Sequence, residues 1–206
     1  MKSGQKRIET EAKFIVSDAS VFTALQNITR LEAFELKSLG VYRVVDRYLD
    51  TASRHMIRAG FACRIRQENH KQLLTLKSLT PADGTLHRRQ EIELEIESDQ
   101  PQSWAESEAK QLVLEIVGEA TLQTLFVIHQ TRHKYHAFLQ NQPAIEFSLD
   151  EVAFNESGHI DYYGLEAELI AAGREADLLH FVEALQANWS LQPDGLSKFE
   201  RGLANL

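Results

Sequence analysis

Charge recurring at every second residue restricts the fold of this sequence more than any other feature, because strand side chains alternate between two faces. Glu9, Glu11 and Lys13 share one face, while Ile8, Ala12 and Phe14 share the other. Arg64 and Arg66 oppose Cys63 and Ile65, and Thr75 and Lys77 oppose Leu74 and Leu76. Arg89, Glu91, Glu93 and Glu95 alternate with Ile92, Leu94 and Ile96. Arg132 and Lys134 share a face with His136. Glu146, Ser148 and Asp150 alternate with Ile145, Phe147 and Leu149, and Glu166 and Glu168 with Leu165, Ala167 and Leu169.

Eight segments read as strands, over residues 8–14, 38–50, 60–68, 71–78, 86–97, 124–139, 144–154 and 159–170. Turn signals separate several of them: Glu68-Asn69-His70, Pro81-Ala82-Asp83-Gly84, Asn141-Gln142-Pro143 and Asn155-Glu156-Ser157-Gly158. Helices interrupt the series. Asp18 or Ser17 caps a helix with Val21, Phe22, Leu25 and Ile28 on one face. Residues 102–117 carry Trp104, Leu112, Leu114 and Ile116, with Gly118 as the stop. Residues 175–188 present Leu178, Leu179, Val182 and Leu185, and a last short helix follows Ser197.

For one strand alone, the ordinary reading is an apolar face turned inward and charges in water. Two features favour the inverse. Several strands carry both signs on one face, and the amphipathic helices need apolar surface, which the strands can supply from outside. The expected architecture is α+β: an eight-stranded antiparallel barrel with a charged tunnel and helices packed on its exterior, one domain over residues 1–206. Such a bore must be wet and liganded, since each unpaired buried ion costs several kcal/mol.

Mixed charge in a tunnel suits a triphosphate. Guanidinium and ammonium groups bind the phosphates, and paired arginines on one strand aim two forks at neighbouring groups. Carboxylates would repel that ligand unless a hard divalent cation stood between, and Glu-x-Glu pairs on separate strands fit this task. The net charge of −8 argues against broad nucleic-acid binding. No apolar run is long enough for a membrane span, the N-terminus lacks an export signal, and Cys63 is the only cysteine, so a cytoplasmic setting is expected. Nothing in the sequence chooses between monomer and homodimer.

Glu9-Thr10-Glu11-Ala12-Lys13 resembles the Glu-x-Glu-x-Lys signature of the CYTH family, the triphosphate tunnel metalloenzymes. Ordered companions extend the likeness over almost the whole chain: Tyr48-Leu49-Asp50-Thr51, Arg64-Ile65-Arg66, Leu76-Lys77, Arg89-Gln90-Glu91, Arg132-His133-Lys134-Tyr135, Leu149-Asp150, Glu166-Ala167-Glu168 and Ser197-Lys198. The resemblance implies a hydrophilic eight-stranded tunnel that needs Mg²⁺ or Mn²⁺. It makes Glu9, Glu11, Asp150, Glu166 and Glu168 metal-site residues, and Glu91 a neighbour of a second metal or of the attacking water. Lys13, Arg64, Arg66, Lys77, Arg89, Arg132, Lys134 and Lys198 would hold phosphates, with Lys77 assisting the leaving group.

The ending Leu196-Ser197-Lys198…Arg201-Gly202 resembles bacterial inorganic triphosphatases that carry a following CHAD domain, which is expected to be absent or removed here. Inorganic tripolyphosphate is therefore the expected substrate. A class IV adenylate cyclase, a thiamine triphosphatase and a non-catalytic polyphosphate- or nucleotide-binding module are the alternatives. Glu93 and Glu95 reach either the tunnel or solvent. Tyr48 either stacks on a base or thiazole ring or is simply buried. His133 and His136 are expected to have no role, Cys63 to lie in the core, and Glu106, Glu108 and Lys110 to form a solvated helix face.

Overall fold

The computed structural model describes residues 3–79, 86–156 and 158–206. Its main strands, in chain order, are β1 (Ser3–Val16), β2 (Arg30–Leu31), β3 (Phe34–Asp50), β4 (Phe61–Glu68), β5 (Lys71–Ser78), β6 (His87–Ile96), β7 (Gln123–Leu139), β8 (Gln142–Ala153), β9 (Tyr162–Leu169) and β10 (Gln192–Pro193). Eight of these close a barrel in the order β1-β6-β5-β4-β3-β7-β8-β9, with β9 returning to β1. All pairings are antiparallel. Closure leaves the wall without an open edge. The two-residue strands β2 and β10 merely pair antiparallel with one end of β3 and of β1.

The expected eight strands are all present, and the wall is inverted. Ala12, Phe14, Phe147, Leu149, Leu165 and Ala167 face outward under α1 (Ala19–Gln26) and α4 (Glu175–Asn188), where they meet Phe22, Leu25, Leu178, Phe181, Val182 and Leu185. On another side, Cys63, Ile65, Leu74, Leu76, Ile92 and Leu94 pack against Met56 of α2 (His55–Arg58) and Ala109, Val113 and Val117 of α3 (Glu108–Val117). Each such large side chain contributes roughly 1.5–3 kcal/mol by leaving water. The exterior sandwich of wall and helices is thus the hydrophobic core. The bore is free to be polar.

Local chemistry sets the element ends. Asp18 caps α1 by accepting the Ser20 and Val21 amides at 2.8 and 3.0 Å. Gly118, at φ +57°, ends α3 in a conformation that favours glycine. Ser197 and Glu200 form a reciprocal capping box on α5 (Lys198–Ala204). Around Gly40, at φ +124°, a bulge shifts the pairing of β3 with β7. Val44 beyond it belongs to the bore-facing row of Asp46, whereas Phe34 before it packs on Phe181 outside.

Several local expectations change. Residues 102–117 divide into a 3₁₀ turn (Pro101–Ser103) and α3, because Ser107 caps the helix by accepting the Lys110 amide. Trp104 precedes α3, is buried, and donates its indole N–H to the Ser98 carbonyl at 2.8 Å. The face that α3 buries is centred on Ala109, Val113 and Val117, flanked by Leu112 and Ile116. Leu179 of α4 is exposed, and Phe181 takes the core position. The expected turn at Pro81–Gly84 lies outside the described residues, as does Ser157 of the later one. Among the described residues, no helix is long and apolar enough to cross a membrane.

Candidate active site

The bore is a cavity of about 690 Å³. Glu9, Glu11, Lys13, Arg64, Arg66, Lys77, Arg89, Glu91, Arg132, Lys134, Glu166, Glu168 and Lys198 all line it. Asp150, fully buried, sits just behind this lining and is held by Arg132 and Lys198. Every candidate residue read from the sequence therefore converges on one channel. The lining also takes in Glu93, Glu95 and Glu146.

Pairing divides the bore into flanks. On one, Arg132 makes a two-pronged contact with Asp150 at 2.7 and 2.6 Å and also reaches Glu166 at 2.6 Å. Lys198, delivered by α5, adds an ion pair of 2.9 Å to Asp150. Burial would drive both carboxyl groups toward the neutral form, but Arg132 and Lys198 overcome it and hold them below the usual range. Asp46, which the sequence reading left unassigned, plays the same part for Arg64 and Arg66. It accepts from Arg66 at 2.7 and 2.8 Å, from Arg64 at 3.3 Å and from Gln130 at 2.7 Å. Arg64 and Arg66 are thereby aimed side by side. On the same flank, Lys134 of β7 pairs over β3 with Glu68 of β4 at 3.0 Å.

The opposite flank is acidic. Across the seam Glu11 faces Glu168, and Glu168 faces Glu146 on β8, so three carboxylates form one row over three strands. Like charges placed directly opposite destabilise a sheet. Burial, helped by Glu11, pushes Glu9 up to about 8, and burial lifts Glu168 to about 7 against the pull of Arg7 and Lys77. Lys77 Nζ donates to Glu9 Oε1 at 2.8 Å and stands 3.4 Å from Glu91. Its burial alone would discourage protonation, yet Glu9, Glu91 and Glu11 outweigh that and keep it an ammonium. Glu91 is held ionised by Lys77 and Arg7 despite its own burial.

Lys13 and Arg89 form a third region. They are 6% and 7% exposed, and neither has a carboxylate ion-pair partner among the described residues. Lys13 Nζ reaches only the Leu196 carbonyl, at 3.3 Å, and burial lowers its pKa. Arg89 Nε is buried without an acceptor. Two desolvated cations with no carboxylate in ion-pair contact, although Glu166 and Glu9 stand opposite them in register, make a place for an anionic ligand.

The donor chemistry of Glu9, Glu11 and Glu168 fits a hard divalent cation: carboxylate oxygens on adjoining strands whose negative charge is only partly offset by Lys77, which stands 2.8 Å from both Glu9 oxygens, and by Arg7. The expected metal set is not gathered in one place, however. Asp150 and Glu166 are tied to Arg132 and Lys198, and no three acidic or histidine side chains are drawn into a ready cation cage among the described residues.

One end of the bore is apolar. Tyr48, Ala62, Ile128 and Val152 form a cluster there with Phe199 of α5. The Tyr48, Phe126 and Phe199 rings form a triangle, with Tyr48 at centroid distances of 4.9 and 5.3 Å from the other two and those 5.9 Å from each other. Asp50 and Thr51, which follow it in the matched motif, have a structural task. Asp50 accepts the amides of Thr51, Met56 and Ile57, and Thr51 accepts that of His55, so both anchor α2. His133 contacts Gln26 and Phe22 beneath α1, outside the channel. Cys63 is fully buried, and burial pushes its thiol up to about 12.

Arg7, Asp46 and Gln130 are site residues that the sequence reading missed. Arg7 shares the parity of Glu9, and Asp46 that of Tyr48. That shared parity was the available signal.

Solved structures share this architecture. HpAC1 from Hippeastrum, an adenylyl cyclase candidate described as having a dominant triphosphatase activity, superposes with a TM-score of 0.75 at 22% identity, covering 96% of each chain. An adenylate cyclase candidate from Bacillus halodurans gives 0.68 at 17% identity, over 95% of this chain and 97% of that one. PH1819 from Pyrococcus horikoshii gives 0.60 at 22% identity, over 96% and 99%. No curated protein matches the sequence. The CYTH domain model matches residues 7–203. That match reaches all eight wall strands and the helix that delivers Lys198, and the chain belongs to the CYTH domain family.

Proposed function

We propose that this protein hydrolyses a small triphosphate, with inorganic tripolyphosphate as the preferred substrate and Mg²⁺ or Mn²⁺ as the cofactor. The observation carrying this reading is the pair of buried cations, Lys13 and Arg89, left without carboxylate partners in a channel whose other flank has surplus carboxylates. A polyanion accompanied by a divalent cation neutralises both surpluses at once. The likeness in fold to HpAC1, with its described triphosphatase activity, supports the same direction.

In this reading Lys13 and Arg89 seat one phosphoryl group, and Arg64, Arg66, Arg132, Lys134 and Lys198 line the track for the others. Glu9, Glu11 and Glu168 would hold the cation, and Asp150 and Glu166, paired here with Arg132 and Lys198, would be its further oxygen donors. When bound, the cation neutralises phosphoryl charge and acidifies a water. Glu91, ionised and fixed from two sides, orients the attacking water. Lys77 stays protonated beside Glu9 and stabilises the charge that builds on the departing oxygen. A cytoplasmic location and a single domain over residues 1–206 accompany this proposal.

A second reading is an organic triphosphate, either ATP cyclised by an adenylate cyclase or thiamine triphosphate. The aromatic lining by Tyr48 and Phe199 favours it. Against it, Tyr48 already packs on Phe126 and Phe199. A panel of tripolyphosphate, ATP and thiamine triphosphate, each with Mg²⁺ or Mn²⁺, tests the proposal by product identity. Phosphate release fastest from tripolyphosphate is expected. Cyclic AMP with pyrophosphate would replace hydrolysis by cyclisation, and tight binding without turnover would make the protein a binding module.

A further inference from the structure

Arg7 stands on the acidic flank with its side chain 47% exposed, yet its guanidinium engages three carboxylates from two strands. Nη2 contacts Glu91 and lies 3.4 Å from Glu93, both on β6. Nη1 donates to Glu168 on β9 at 3.2 Å. Since β6 and β9 flank β1 on its two edges, Arg7 bridges the barrel seam. Glu168 belongs to the row with Glu11, the part of the channel whose donors best fit a divalent cation, and Glu91 adjoins Lys77 there.

We infer that Arg7 is a resident counter-ion for this carboxylate cluster, displaced when a divalent cation enters, and that it thereby sets the cation affinity of the site. The inference rests on the proposed metal reading. Clustered carboxylates, while ionised, need positive charge beside them, and a guanidinium fork and a divalent cation cannot occupy the same oxygens. Lys77 cannot readily yield, because Glu9 and Glu91 hold it within the wall. Arg7 can, because half of it already meets water and its head loses little on swinging outward. Cation binding therefore competes with Arg7.

Competition predicts opposite signs for two measurements. Removing Arg7 should tighten cation binding and weaken the cation-free fold. A merely structural arginine would weaken both. The test is calorimetric titration of Mn²⁺ alone into wild type, Arg7→Gln and Arg88→Gln, with melting of each cation-free protein. Arg88 loses the same charge but pairs with Glu175 on the exterior, at 2.8 Å. Arg7→Gln should bind Mn²⁺ about three- to tenfold more tightly, a modest factor because the displaced ion pairs are partly solvated. It should melt earlier without cation, and Arg88→Gln should bind Mn²⁺ as wild type does.

Unchanged or weaker Mn²⁺ binding by Arg7→Gln would overturn the inference, as would equal tightening in Arg88→Gln. Should Arg7→Gln fail to fold, Arg7→Lys decides the matter. Lysine keeps the charge but lacks the two separate nitrogens that reach Glu91 and Glu168, so tightening supports competition and unchanged affinity refutes it. Wild type that binds no Mn²⁺ would instead remove the metal reading, and this inference with it.

Discussion

Glu11 on β1 and Glu168 on β9 are direct cross-strand partners at the seam that closes the barrel. Two carboxylates in that position oppose folding by about 0.2–1 kcal/mol relative to neutral neighbours. Their retention is best understood as a cost offset by a cation. Glu168→Gln should accordingly raise the melting temperature of the cation-free protein at pH 8 by about 1–4 °C. The same variant should lose most of the stabilisation that Mn²⁺ gives wild type, and its turnover. Paired melts with Mn²⁺ or EDTA check this; a variant less stable than wild type in EDTA would mean that Arg7 outweighs the repulsion.

Lys13→Met should weaken tripolyphosphate binding without weakening the fold. Lys13 makes no carboxylate ion pair among the described residues and its ammonium is desolvated, which offsets the longer-range attraction of Glu11, Glu166 and Asp194 that the methionine gives up. Loss of one charge-assisted contact of about 1.5–3 kcal/mol corresponds to roughly a 10- to 150-fold rise in Kd. Calorimetry with tripolyphosphate and thermal melting are the two measurements. A lower melting temperature with unaltered affinity would assign Lys13 to the scaffold.

Asp46 should dominate the acid limb of stability. Burial would raise its pKa, but Arg64 and Arg66 together hold it well below the ordinary 3.8. A carboxylate depressed in the folded state contributes stability above its unfolded pKa and loses it as pH falls through the folded value. Asp46→Asn removes that contribution and leaves two buried guanidinium groups short of an anion, a loss of about 3–5 kcal/mol at neutral pH. Melts across pH 3–7 should show the gap between wild type and variant narrowing below about pH 4. A gap independent of pH would place the effect in packing rather than charge.

The barrel and its inversion were legible because period-two alternation is a direct consequence of strand geometry, and every wall strand except β3 carries it. The convergence of Arg64, Lys77, Glu91 and Glu168 followed from the same parity. What escaped was information held in register. Nothing in the order of residues says that Glu11 meets Glu168 while Glu9 meets Arg89. For the same reason the metal candidates could not be sorted into those already neutralised, Asp150 and Glu166, and those left with surplus charge. Asp46 escaped because it stands alone on its face of β3, between Val44 and Tyr48, with no charged residue two positions away to mark the parity. Asp50 carried the family resemblance without a role, since a carboxylate that caps α2 by accepting backbone amides shows its task only once the helix is seen. Elements of two to four residues, β2, α2 and β10, are too short to display any period.

Gly202→Ala should separate the role of α5 from the chemistry of Lys198. A Cβ added at Gly202 would stand 2.1 Å from Phe126 Cε2 and 2.5 Å from its Cζ, so helix and ring cannot keep their present positions. Phe126 is itself stacked on Tyr48, which limits its retreat, and α5 must shift outward instead. Overpacking of this kind costs about 1–3 kcal/mol, or a melting temperature lower by roughly 2–12 °C. The functional effect follows from lever geometry. Lys198 opens the helix that Gly202 seats, and its contacts with Asp150 and Glu166 are side-chain contacts reaching back into the bore. Retraction would leave both carboxylates held by Arg132 alone. The variant should therefore show a raised KM for tripolyphosphate comparable with that of Lys198→Met, even though Lys198 is intact. Normal KM in a folded but less stable Gly202→Ala would show that Phe199 and Lys198 hold their places without close seating of α5 on Phe126.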